Sequence, residues 1–263
     1  MRVAIGNNKG GSGKTAATVN LAAALAETGH RVLVVDVDPQ ANASRRLRRP
    51  FDPSAPAVTT AEVIQAGRDG VAADAIAPSG WPAPYDELVS VIPSRWDLEN
   101  RVSEAGTLGA LARLDRALDG ADDDFDVTLI DTPPSLGHLT QLGLAAADAA
   151  LCCVEPEFDS IEGAVRFRDF IAAHHAELGM SRAGVLGVLV TRVRANVGAH
   201  GYQLEGIEEV IGADLLWTPH IPERAIFKDA ADAASPLRAF RSVVAGGMAD
   251  IYAELAARLI KEF

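Results

Sequence analysis

The sequence predicts an α/β fold, a three-layer sandwich with a mostly parallel central sheet covered by helices on both faces. Three observations predict it. Strand-like runs ("RVAIG", "RVLVVDVD", "DVTLID", "AALCCVE", "GVLGVLVT") alternate along the chain with helical, often alanine-rich segments. The runs are continuously apolar rather than alternating with polar residues, as strands buried on both faces must be. The polar motifs cluster at the carboxyl ends of these runs, where open α/β sheets bind ligands.

The elements follow in order. "MRVAIG" begins the chain as a strand, so no signal peptide is expected. A glycine-rich loop leads into a first helix from about Lys14 to Thr28, and Gly29 suits a left-handed cap at its end. The small apolar face of that helix allows close packing on the sheet. "VLVVD" ends at Asp36 and "VTLID" at Asp131, each a strand that terminates in a carboxylate. The proline-rich segments 49–60 ("RPFDPSAPAVTT") and 78–84 ("PSGWPAP") read as surface loops rather than linkers, so residues 1–263 form one domain. The tail "MADIYAELAARLIKEF" is a helix with apolar positions Ile251, Tyr252, Leu255, Leu259 and Phe263. Its Asp250, Glu254 and Glu262 offset Arg258 and Lys261, which suits packing on the domain better than contact with anionic lipid.

Composition narrows the function classes. Of 263 residues 48% are hydrophobic, enough for a large core, yet no apolar run reaches the roughly 18 to 20 residues that span a bilayer. Lys and Arg number 24 against 36 Asp and Glu, a net charge of -12, which argues against wholesale polyanion binding and leaves room for a local basic patch. Cys152 and Cys153 are neighbours on one strand and read as buried small residues of a protein in a reducing cytoplasm. The six histidines show no metal-site spacing, and His174 and His175 read as exposed on a helix.

Between the first strand and the first helix stands Lys9-Gly10-Gly11-Ser12-Gly13-Lys14-Thr15, followed by Ala16. Glycines let the backbone curl so that its N–H groups converge on phosphate oxygens, and the helix N-terminus adds positive potential. Lys14 then reaches the β- and γ-phosphates, and the Thr15 hydroxyl is a ligand for Mg²⁺. The first glycine of the usual phosphate-loop pattern is absent, its place taken by Asn8. Asp36 and Asp131, emerging from apolar strands beside this loop, are candidates to hold Mg²⁺ directly or through water. Asp38 lies two residues beyond Asp36, and an extended chain would turn both carboxylates to one side, one towards the metal and one towards the attacking water.

"KGGSGKT" (9–15), "DVDPQANAS" (36–44) and "DVTLIDTPPSLG" (126–137) together resemble the deviant Walker-type ATPases of the ParA/MinD group, with a P-loop NTPase-like fold. Fainter matches, "VIPS", "GVLVT" and "IPERAIFKDAADAASPL", carry the resemblance nearly end to end, and "DPQ" with "DTPPSLG" is more like ParA. The resemblance implies an ATP hydrolase with ATP and Mg²⁺ as cofactors. It implies that Lys9 crosses an ATP-bound homodimer to the phosphates held by the partner, where a monomer would leave it idle. It makes Asp38 the residue that positions water, and Asp36 and Asp131 the organisers of the magnesium shell. Pro39-Gln40 and Thr132-Pro133-Pro134 become γ-phosphate-sensing switches, and Thr191, Arg192 and Pro222 the adenine pocket.

The small ParA type further implies nonspecific DNA binding by the ATP dimer, release through hydrolysis stimulated by a ParB-like adaptor, and a cytoplasmic, nucleoid-associated protein that partitions plasmids or chromosomes. The family's DNA-contacting arginines fall near Asn196 and Ile226, neither of them basic. Arg192, Arg194, Arg224 and Lys228 stand nearby, and a second cluster comprises Arg45, Arg46, Arg48 and Arg49. Each group fits a solvated face paired with acids as well as it fits a phosphate contact. Three other readings are set beside this one: a MinD-like membrane switch, a ParA-like positioner of a non-DNA cargo, and an electron carrier like the nitrogenase iron protein. The last fits poorly with cysteines adjacent on a strand.

Overall fold

The computed structural model describes residues 1–180, 182–194 and 198–263. Eight strands form one sheet: β1 (Arg2–Gly6), β2 (Val32–Asp36), β3 (Ala77–Pro78), β4 (Val89–Ile92), β5 (Val127–Asp131), β6 (Ala149–Val154), β7 (Gly187–Val190) and β8 (Leu216–Trp217). Their order is β3-β4-β2-β5-β1-β6-β7-β8. Every neighbouring pair is parallel except β3–β4. The continuous apolar runs are the reason: β2, β5 and β6 are buried at every position, so helices must cover both faces.

The two faces carry two separate apolar clusters, and alternate residues of one strand enter each. Val3 and Ile5 belong to one and Ala4 to the other. Cys153 and Cys152 divide in the same way, both buried and unbridged, as the sequence predicts for strand neighbours. One face is covered by α1 (Lys14–Glu27), α2 (Asn42–Arg46), α4 (Tyr85–Leu88), α9 (Ile226–Asp232) and α10 (Val243–Lys261). The other is covered by α3 (Thr60–Ala66), α5 (Arg113–Leu118), α6 (His138–Ala145), α7 (Phe158–His174) and α8 (Gly198–Ile211).

Helix α1 ends as predicted, with Thr28 capping it and Gly29 following at φ +88°. Helix α10 lies along α1 and buries Tyr252, Leu255 and Leu259, each contributing about 1.5 to 3 kcal/mol. Phe263, grouped with these positions in the sequence, is instead exposed because the helix stops at Lys261.

Segment 78–84 is more than a surface loop. Pro78 closes the short antiparallel edge strand β3, where a missing N–H costs no ladder bond. Trp81 is buried and donates through its ring nitrogen to the Arg46 carbonyl at 2.8 Å. Tyr85 donates to Glu27 at 2.7 Å, so this segment pins α2 and the far end of α1.

Candidate functional site

The strands β2, β5 and β1 lie side by side, and Ile5 and Asp36 both flank Asp131 in register. Three carboxyl ends therefore open at one place. Beyond β1, the Asn7 side-chain amide donates to the Cys153 carbonyl at 2.6 Å and anchors the start of the phosphate loop on β6. Gly11 (φ +86°) and Gly13 (φ +84°) take left-handed conformations that side chains disfavour, which lets the loop curl before α1 begins at Lys14. A Cβ on Gly13 would also lie 3.0 Å from the Thr191 hydroxyl.

Lys14 is buried, and its ammonium donates to the Lys9 carbonyl at 2.9 Å. Burial lowers its pKa, against the pull of Asp131 and Asp38. The Thr15 and Thr18 hydroxyls donate to the two oxygens of Asp131 at 2.8 and 2.9 Å. The Lys9 side chain turns outward to Asp159, at the start of α7, in an exposed ion pair of 2.8 Å.

Asp38 lines the cleft with Lys14, Gln40 and Pro134, and its carboxylate accepts from the Gln40 amide at 2.9 Å. Burial raises its pKa. Asp36 does not share that side. The strand ends at Asp36, and Asp38 opens a turn in which the Ala41 amide donates to its carbonyl at 2.9 Å, so the two-residue period fails at this point. Asp36 is fully enclosed, accepting from the Ser44 amide and hydroxyl at 2.8 and 2.7 Å and from the Asp38 amide at 3.2 Å. Burial and the neighbouring Asp131 push its carboxyl upward. It braces α2 and, like its neighbour Asp131, is enclosed behind the cleft.

The donor set suits magnesium, which keeps several waters and takes few protein ligands. Thr15 offers a hydroxyl oxygen in the cleft, with Asp131 immediately behind it. Among the described residues no cluster of three or more His, Cys, Asp or Glu could hold a metal alone, so phosphate oxygens and water would complete the shell.

Two cavities meet at the loop. The phosphate-loop side encloses about 250 Å³ and a second, wider space about 690 Å³. Thr191, Arg192 and Pro222 line the wider one, where the sequence places the base. The Thr191 hydroxyl donates to the Ser12 carbonyl at 3.0 Å, tying the end of β7 to the loop. Arg192, at φ +53°, pairs with Glu155 at 3.1 Å. Tyr252 and Phe227 add aromatic wall, and Gly13, Ala16, Arg46 and Arg192 line both spaces.

The candidate DNA contacts divide between the cavity and pairing with acids, the two settings being exemplified by Lys228 and Arg194. Arg192, Arg224 and Lys228 line the wider cavity, and Arg194 pairs with Glu223. The arginine run also splits. Arg45 bonds Asn42, Arg48 bonds the carbonyls of Ala233 and Ala234, Arg49 bonds the Pro78 carbonyl, and Arg46 turns into the cavity. Asn196 lies outside the described residues. Sequence reasoning missed Glu155, Tyr252, Phe227 and Asp159. Glu155 carries the same signal as Asp36, a carboxylate at the end of an apolar strand, whereas Tyr252 arrives from a distant helix with no local mark.

A parallel sheet with a glycine-rich loop at the carboxyl end of its first strand and a Lys-Thr pair opening the next helix defines a phosphate-loop nucleotide-binding protein. The chain matches the AAA domain family over residues 1–181. The sporulation initiation inhibitor protein Soj of Bacillus subtilis is 33% identical, across 97% of this chain and 96% of its own. Cobyrinic acid a,c-diamide synthase from Mycobacterium smegmatis, solved with a bound ATP analogue and magnesium, is 28% identical with a TM-score of 0.77 over 99% of this chain and 94% of its own. Apo McdA of Cyanothece shares the fold at a TM-score of 0.83 and 22% identity, over 97% of this chain and 98% of its own. This chain belongs to the ParA/Soj family of partition ATPases.

Proposed function

We propose that this ParA-type positioning ATPase partitions DNA: it binds ATP with Mg²⁺, forms a homodimer through Lys9, holds DNA without sequence preference in that state, and lets go when a ParB-like adaptor stimulates hydrolysis. The chain acts as one unit, residues 1–263, in the cytoplasm and on the nucleoid. The observation that carries the reading is the division of the two loop lysines. Lys14 is buried inside its own loop, whereas among the described residues the Lys9 ammonium is held by a solvent-exposed pair that a second subunit could replace.

Within one subunit Lys14 and the loop amides, Gly10 to Ala16, would hold the phosphates, with the base between Thr191, Arg192 and Pro222. Magnesium, when bound, supplies positive charge to the β- and γ-phosphate oxygens; Thr15 would ligate it and Asp131 orient its shell. Asp38 would accept a hydrogen bond from the attacking water and align it with the γ-phosphate, and Lys9 of the opposite subunit would offset the charge that develops. Gln40 and Pro134 line the cleft with Asp38, and the segments Pro39-Gln40 and Thr132-Pro133-Pro134 would relax when the γ-phosphate leaves.

DNA as cargo is supported by membership of the partition-ATPase family and by basic residues near the cavity rim, Arg192, Arg194, Arg224 and Lys228, which a dimer would double. A MinD-like membrane role is less well supported, because α10 spends its apolar side on α1. The test is a titration of random-sequence duplex against the ATP-loaded protein at several salt concentrations, with anionic liposomes in parallel. Binding that needs ATP, with a fall of log affinity against log salt that steepens by close to one unit per phosphate contact, is expected. Firm liposome binding without DNA binding would overturn the reading.

A further inference from the structure

Arg46 is the one member of the arginine run that turns inward. It lines the base cavity, the phosphate cavity and a small space against Phe227, Ala230 and Ser235 on the α9 side. Among the described residues its guanidinium has neither a hydrogen-bond nor an ion-pair partner, while Arg45 and Arg49 each have a hydrogen bond and Arg48 has three. Arg192 and Arg45 lie close enough to repel it, and Asp131 to attract it. Burial lowers its pKa, but a guanidinium remains charged in protein. Arg46 is half-buried with its nitrogens open to the cavities, so an anion seated there would replace water with a charge-assisted bond.

The position says which ligand atoms would do so. The residues common to both cavities, Gly13, Ala16, Arg46 and Arg192, mark their junction, where a nucleotide seated with its base by Thr191 and its terminal phosphates by Lys14 places its first phosphate. We propose that Arg46 is a nucleotide-binding residue of this chain that pairs with the α-phosphate at the junction of the two cavities. The proposal rests on the reading of these cavities as the ATP site. It also links occupancy to the first switch: Arg46 ends α2, two residues beyond Ser44, which braces Asp36, and eight beyond Asp38.

The experiment is competition of ATP, ADP, AMP and adenosine against a fluorescent ATP analogue, using wild type, Arg46→Met, Arg46→Lys and Lys14→Ala. Arg46→Met keeps the apolar stem. It is expected to lose affinity for ATP, ADP and AMP alike by about 10- to 100-fold, with adenosine unaffected. Arg46→Lys should regain part of that loss by returning a point charge. Unchanged affinity in Arg46→Met, a loss confined to ATP and ADP, or an equal loss for adenosine would each overturn the proposal. Lys14→Ala separates the two levels. If it loses ATP while Arg46→Met does not, only the proposal falls; if it binds ATP like wild type, the cavity reading falls too.

Discussion

Lys14 and Asp38 line one small cleft while the Lys9 side chain turns outward from it, and their mutants should differ accordingly. Lys14 is buried among groups that a phosphate would replace, so Lys14→Ala should lose nucleotide affinity itself. Lys9→Ala removes only an exposed side chain; nucleotide binding should be largely kept while dimer-dependent hydrolysis is abolished. Asp38→Ala should trap the ATP dimer, because the water loses its orienting carboxylate and the dimer contacts remain. Light scattering and phosphate release check all three, and an unchanged dimer with normal turnover in Lys9→Ala would remove its role across the interface. At this scale the phosphate loop was legible because its backbone path dictates its residue types. Arg46 was not: four arginines in one short run look alike until the turn after Asp38, with Ala41 at φ +51° and Arg48 at φ +56°, aims one of them inward.

Helix α7 is the element that shapes the loop from outside. A Cβ on its Gly163 would lie 2.5 Å from the Asn7 side-chain oxygen, 3.1 Å from Cβ of Lys9 and 3.3 Å from the backbone carbon of Asn8. Gly163 thus allows residues 7–9 to rest directly on the helix. Gly163→Ala has to displace the loop, since two of those neighbours are backbone or next to it. The expected result is a loss of nucleotide affinity of at least about tenfold, with a destabilisation of about 1 to 3 kcal/mol. Isothermal titration beside a urea melt separates the two effects. Affinity equal to wild type would show that the loop does not need this seat. The elements that the sequence showed clearly were the long periodic ones, α1 and the buried strands. The edge strand β3 and the five-residue α2 were not visible, because both are held by contacts from elsewhere, Ser79 on Val89 and Trp81 on Arg46.

Across the whole molecule the opposite end of the sheet is fastened by charge. Arg2, at the start of β1, pairs with Asp122 at 2.8 Å and Asp115 at 2.9 Å, and Thr128 donates to Asp122 as well. These bonds outweigh burial and hold the Asp122 carboxyl below its ordinary value of 3.8. A lowered folded value means that stability is fully present above 3.8 and is lost as pH falls through the folded value. Asp122→Ala should therefore cost about 2 to 3 kcal/mol near neutrality, and the gap from wild type should close below that range. Urea melts across the acid limb check the sign, and a gap that widened with acid would contradict it. The sandwich itself was legible because burial on both faces writes uninterrupted apolar runs. The ion cluster was not, because Arg2 and Asp122 lie 120 positions apart and neither has a local reason to be noticed.

The exposed Lys9–Asp159 pair makes the chain a competitor for its own lysine. A contact of that kind contributes only about 0 to 1 kcal/mol and weakens as ions shorten the reach of charge. If the proposed cycle holds, salt would release Lys9 for a partner subunit while loosening the hold of an ATP dimer on DNA. Ionic strength then pulls the two halves of the cycle in opposite directions. Because the pair is worth so little, DNA occupancy in the proposed cycle should still fall from dilute to concentrated salt, with a shallower slope at the dilute end than in Asp159→Ala, where Lys9 is already free.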